Sequence, residues 1–187
     1  NIDYGKESFE TSKDKSNIQY CQNISDDYYK NKCYKQTAEE LKDFRICNYI
    51  NNNAFRDFCY KDIAVLTKNI LMCKLINSPS LNLSCYYQIA IATNDLSICD
   101  EIQKNVSLRD YCVKEIGVVK KNLSVCDSIN KLQVKEACYR FIASGTPNLS
   151  ICDNLTIEAE KDACYSDLGR IKRNLSICKT IKFDKSR

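Results

Sequence analysis

Residues 120–165 read KKNLSVCDSINKLQVKEACYRFIASGTPNLSICDNLTIEAEKDACY, which says nearly the same thing twice. N-L-S-V-C-D-S-I from Asn122 is answered by N-L-S-I-C-D-N-L from Asn148, and K-E-A-C-Y from Lys135 by K-D-A-C-Y from Lys161. Each copy holds two cysteines and the period is 26 residues. Outward from this stretch the ruler continues through Cys21, Cys33, Cys47, Cys59, Cys73, Cys85, Cys99, Cys112, Cys126, Cys138, Cys152, Cys164 and Cys178. The steps alternate 12 and 14, with a single 13 between Cys99 and Cys112. Self-similarity at this length predicts a solenoid, in which each supersecondary unit buries its apolar face against its neighbours.

Call the cysteines alternately A and B. Four residues before each A cysteine stand Asn17, Asp43, Asn69, Asp95, Asn122, Asn148 and Asn174. Each is a short side chain that accepts from free backbone N–H groups, so each reads as a helix N-cap. Apolar residues then fall three before the A cysteine and three after it, as with Leu149, Cys152 and Leu155, which predicts one apolar stripe on a helix of about two turns. The B cysteine is followed by Tyr34, Tyr60, Tyr86, Val113, Tyr139 or Tyr165, then at +4 and +5 by pairs such as Ile63 and Ala64. That predicts a B helix of about three turns with a wide apolar arc, its small +5 residue letting a neighbouring backbone approach.

The expected fold is therefore all-α: an α-solenoid of about six 26-residue αα-hairpin repeats plus a terminal half repeat, cross-linked by a disulfide ladder. Repeats start at 17, 43, 69, 95, 122 and 148, with the half repeat at 174. Residues 1–16 read as a polar arm and 17–187 as the array, with the extra residue of the fourth repeat as a longer turn.

Thirteen cysteines with no C-x-x-C and no histidine exclude the usual zinc, haem-attachment and Cys-His nucleophile readings, which leaves disulfides in an oxidising compartment. Pairing within the repeat (Cys21 with Cys33, Cys47 with Cys59, Cys73 with Cys85, Cys99 with Cys112, Cys126 with Cys138, Cys152 with Cys164) is favoured because the shorter connection fixes a hairpin locally, and it leaves Cys178 unpaired or intermolecular. The rival scheme, Cys33 with Cys47 through Cys164 with Cys178, leaves Cys21 alone and tethers the last helix. A two-turn helix is marginal in isolation, so a bridge contributing about 2–3 kcal/mol per repeat offsets a thin core.

The charge is +4, with basic and acidic residues interspersed, so no nucleic-acid partner is expected. No apolar run reaches the roughly 20 residues of a membrane span, and a first residue other than Met leads to the expectation that an export signal has been removed. The repeating K-D or K-E before a B cysteine reads as a solvated helix face rather than acid–base machinery, and no phosphate or calcium loop is present. The chain is thus expected not to be an enzyme and to need no cofactor or metal. The tyrosine series reads as packing between repeats, with stacking on sugars or peptides as the functional alternative.

Seven sequons occur, at Asn23, Asn82, Asn105, Asn122, Asn148, Asn154 and Asn174. Capping alone accounts for Asn122, Asn148 and Asn174. Asn105, in the longer turn, has no such role in the sequence and is the first candidate for an N-linked glycan; Asn23 and Asn154 are expected on the polar side of their A helices.

The pattern N-L-S-I-C-D-x-I followed by K-D-x-C-Y-x-x-I-A, carried over residues 17–181, resembles a set of exported Cys-repeat proteins of small-genome archaea and candidate bacteria. The resemblance implies a helical repeat fold at the cell surface or outside the cell, and it supplies no site residues. The first repeat departs most, with Thr37 in the Ile position and the tyrosine-rich DDYYKNKCY, as suits a capping repeat.

The expected function is that of an extracellular structural protein, a filament or surface-layer subunit whose partner is itself. Open solenoid ends propagate head to tail unless capped, and the half repeat carries the apolar Leu175, Cys178 and Ile181. The alternative is a secreted or cell-surface binding and adhesion module that holds a peptide or glycan on its concave face.

Overall fold

The computed structural model describes residues 18–181; the expected arm at 1–16, the cap Asn17 and residues 182–187 lie outside the described residues. No strand occurs among the described residues, and the chain is a disulfide-cross-linked helical repeat. It divides into two compact units, Asn1–Ile89 and Ala90–Arg187.

Within the first unit, a helical turn at 18–22 precedes the B helices Asp27–Leu41 and Asn53–Thr67, which alternate with A elements at Phe44–Tyr49 and Ile70–Leu75. The third B helix, Pro79–Thr93, runs through the division point. In the second unit the B helices are Val106–Lys120, Leu132–Gly145 and Glu158–Ile171. Its A elements begin at Leu96, Leu123, Leu149 and Leu175.

The A elements are shorter than two α-turns. Phe44–Tyr49 and Ile70–Leu75 are 3₁₀ helices, and the others are four or five α-helical residues, the one at Leu96 extended by the 3₁₀ turn Asp100–Ile102. All six described caps work as the spacing predicts: Asp43, Asn69, Asp95, Asn122, Asn148 and Asn174 accept the N–H two residues on, at 2.9–3.1 Å. At the other end the chain is already extended at Ile50 and Ile76, whose N–H groups return to Cys47 and Cys73. A single tight turn cannot line up a long stripe. Beyond the first repeat the buried positions are therefore mainly −1, 0 and +3, as with Ile46, Cys47 and Ile50, whereas −3 is less covered and Leu123 is 38% exposed.

The B helices have 14 or 15 residues, a turn more than expected. They bury the predicted arc: Cys59, Tyr60, Ile63 and Ala64 in one, Cys112, Val113, Ile116 and Gly117 in another. The small residue at +5 sits where the next A element arrives, for a Cβ on Gly117 would lie 3.1 Å from Val125 Cγ1 and 3.2 Å from Cys138 Sγ. Several of these helices end on a left-handed residue that is not glycine, at Lys42, Lys68, Asn94, Lys121 and Arg173. The following N–H then returns to the helix, as from Asn69 to the Ala64 carbonyl at 2.9 Å.

Candidate functional site

Six disulfides join the A and B cysteines of the same repeat: Cys21–Cys33, Cys47–Cys59, Cys73–Cys85, Cys99–Cys112, Cys126–Cys138 and Cys152–Cys164, with Cα atoms 5.5–5.9 Å apart. The between-repeat scheme is not the one formed. Cys178 is a free, half-buried thiol.

The acids before the B cysteines do not form a solvated face. Asp57, Asp110 and Glu136 are 3%, 0% and 3% exposed. Each stands two residues before its B cysteine and accepts two backbone N–H groups from the connection that opens the next B helix. Asp57 takes Asn77 (3.1 Å) and Ser78 (2.8 Å), Asp110 takes Asn130 (3.1 Å) and Lys131 (2.8 Å), and Glu136 takes Thr156 (2.9 Å) and Ile157 (2.7 Å). The Thr156 hydroxyl donates to Glu136 as well. Burial pushes the Glu136 carboxyl up, yet the hydrogen bonds from Thr156 and Ile157 and the charge of Lys161 outweigh it and hold the group below its ordinary range. These carboxylates clamp one repeat to the next. The signal in the sequence was the phase: an acid or amide at Asn31, Asp57, Asp110, Glu136 and Asp162 recurs three residues before the +1 position and seven before the small +5 residue, on the helix face that those two buried positions share.

The tyrosines after the B cysteines are mostly buried, with Tyr34, Tyr60, Tyr86 and Tyr165 at 4–8% exposure, which is the packing reading. Their hydroxyls reach a polar residue just after the A cysteine: Tyr60 donates to Asn48, Tyr139 to Asp127, and Tyr165 to Asp153 at 2.6 Å. Burial and the Asp127 carboxylate push Tyr139 up to about 12, and the Asp153 hydrogen bond followed by burial does the same for Tyr165. Both phenols are neutral donors at any physiological pH.

Above two of these pairs the surface is concave. A groove of about 370 Å³ is lined by Leu123, Asp127, Tyr139, Ile151, Asn154 and Leu155. A second, of about 270 Å³, is lined by Leu149, Asp153, Tyr165, Ser176, Ile177 and Thr180. Five of the lining positions correspond one repeat apart, Leu123 with Leu149, Asp127 with Asp153, Tyr139 with Tyr165, Ile151 with Ile177 and Asn154 with Thr180. This is one site made twice in the second unit.

The first unit carries a different groove, of about 390 Å³, between the helices Asp27–Leu41 and Asn53–Thr67. Tyr28, Phe55 and Phe58 wall it, with Tyr28 edge-on to Phe55 at 5.6 Å between centroids. Lys35 pairs with Glu39 on its own helix (2.5 Å) and, across the groove, with Asp62 (2.7 Å). The second unit uses the same position for the same purpose, Arg140 joining Glu160 (2.8 Å) and Asp167 (3.0 Å). The recurrence identifies Lys35–Asp62 and the two Arg140 pairs as links between successive B helices.

The sequons sort differently from their sequence reading. Asn105 is itself a cap: its side chain accepts the Leu108 N–H at 3.1 Å at the start of Val106–Lys120. Asn122, Asn148 and Asn174 cap their A elements. Asn82 donates its side-chain N–H to the Cys73 carbonyl at 2.7 Å. Asn23 lies just past the helical turn at 18–22, and Asn154 ends Leu149–Asp153; both are exposed.

Among the described residues no group of three or more His, Cys, Asp or Glu is placed to hold a metal ion, and no helix is long and apolar enough to cross a membrane. The six bridges place the chain in an oxidising environment. No protein-family model matches the chain, and no curated protein or solved structure matches it either.

Proposed function

We propose that this chain is an extracellular or cell-surface recognition module that binds another polypeptide along its A elements and works without catalysis. The observation that carries this reading is the duplicated groove, because equivalent apolar walls around an equivalent Tyr–Asp pair at successive repeats offer one extended ligand the same contact twice. The disulfide-stapled hairpins support it by holding the walls in place without ligand, which lowers the ordering cost of binding. Its resemblance to exported Cys-repeat proteins adds to the extracellular assignment. Panning a displayed random-peptide library on the oxidised protein tests it. Enrichment of a peptide family that soluble chain competes away is expected, and a library that enriches nothing overturns it.

A second reading, a filament or surface-layer subunit, draws on the half repeat. Leu175 there is 80% exposed, and Cys178 keeps a thiol in an otherwise oxidised series. Negative-stain electron microscopy of the oxidised protein with and without reductant separates the two. Uniform polymers dispersed by reductant favour self-assembly, and dispersed particles under both conditions remove it.

A further inference from the structure

We propose that the paired grooves at Asp127 and Asp153 take two cationic side chains, arginine or lysine, from one extended peptide segment. This deepens the recognition reading and rests on it. Each groove has apolar walls, Leu123 and Ile151 in one and Leu149 and Ile177 in the other, with an exposed carboxylate at its edge. None of the residues lining either groove is cationic, and beside the second groove Lys161 spends its ammonium on the Asp153 backbone carbonyl at 2.8 Å. The tyrosine hydroxyl occupies Oδ1 of each carboxylate, which leaves Oδ2 as the acceptor for a ligand's cation.

An apolar slot ending in a fixed carboxylate matches the long apolar stem and charged head of Arg or Lys. The rest of the chain supplies the contrast. The equivalent position in the second repeat is the amide Asn48, in the third it is Lys74, and in the fourth Asp100 is already held by Arg109 at 3.1 Å. The acidic form of the site is therefore confined to two neighbouring repeats. Packed helices lie about 8–10 Å apart and an extended chain advances about 3.3 Å per residue, so the two cations belong about three residues apart.

The test uses a fluorescein-labelled octapeptide with two arginines about three positions apart, its citrulline counterpart, and the oxidised protein in low salt, read by fluorescence anisotropy. Asp127→Asn with Asp153→Asn is the informative variant, because the native Tyr60–Asn48 pair shows that an amide accepts the tyrosine hydroxyl in this fold. Expected are saturable binding that weakens with salt and at least tenfold loss on either the citrulline exchange or the double substitution. Equal binding by wild type and the double variant, or none by wild type, overturns the assignment. If library panning instead enriches peptides without cations, the recognition reading stands and this one falls.

Discussion

Glu136 joins two repeats with one side chain. Its carboxylate accepts the N–H groups of Thr156 and Ile157 and the Thr156 hydroxyl while 3% exposed. Glu136→Gln leaves a single oxygen for these donors and is expected to cost about 2 kcal/mol at neutral pH, in the range of hydrogen bonds to charged groups. Because the folded-state pKa lies below the ordinary value, the ionised group's contribution is present above about pH 4.3 and is lost as pH falls through the folded value. Urea denaturation at pH 7 and pH 3 checks this: the gap between wild type and variant should close in acid, and a gap independent of pH would sink the account. Tyr139 titrates with the opposite sense. Its raised pKa makes the neutral ring's contribution complete below about pH 10 and lost as pH climbs through about 12. Asp127→Asn is expected to lower the midpoint seen by NMR of ring-labelled tyrosine while leaving it above the ordinary value, since burial is the larger cause. An unchanged midpoint would mean that the carboxylate plays no part.

At the scale of the element, capping residues were legible in advance and helix lengths were not. Asn or Asp four before an A cysteine is a local signal, and it caps wherever the structure describes it. The 3₁₀ character of Phe44–Tyr49 and Ile70–Leu75 depends on where the disulfide and the buried Ile50 or Ile76 pull the chain, and nothing local encodes that. Burial of the acids was missed for a related reason. A basic residue followed by Asp or Glu on a helix reads as solvated until the next repeat's N–H donors are placed against it. The duplicated groove was visible only in its parts, as a recurring tyrosine and an aspartate after the A cysteine. The helix ends offer the cleanest test at this scale. Lys68 is exposed at φ 55°, where a side chain costs about 1 kcal/mol and glycine does not. Lys68→Gly is expected to raise stability by up to that amount in urea denaturation, with Lys68→Ala giving no gain; equal effects of the two would refute a backbone origin.

For the molecule as a whole, the cysteine ruler runs through the division at Ile89 without a sign of it, but two departures stand on either side. Leu83 occupies the place of the clamping acid in the third repeat and offers no oxygen to a backbone N–H. The single 13-residue step lies in the fourth repeat. Elsewhere the repeats depend on the same few devices, and the bridges are the strongest of them. Each closes a short loop and contributes about 2–3 kcal/mol, chiefly by restricting the unfolded chain, so six together are on the order of the whole stability of an ordinary domain, about 5–15 kcal/mol. The apolar core of a 26-residue repeat is too thin to replace that. Full reduction and alkylation is therefore expected to abolish the cooperative urea transition followed by circular dichroism at 222 nm. Replacing only Cys47 and Cys59 by serine should lower the unfolding free energy by about 2–3 kcal/mol and keep the transition. A reduced chain that still unfolds cooperatively would show that the carboxylate clamps and the Ile and Tyr packing suffice without the bridges.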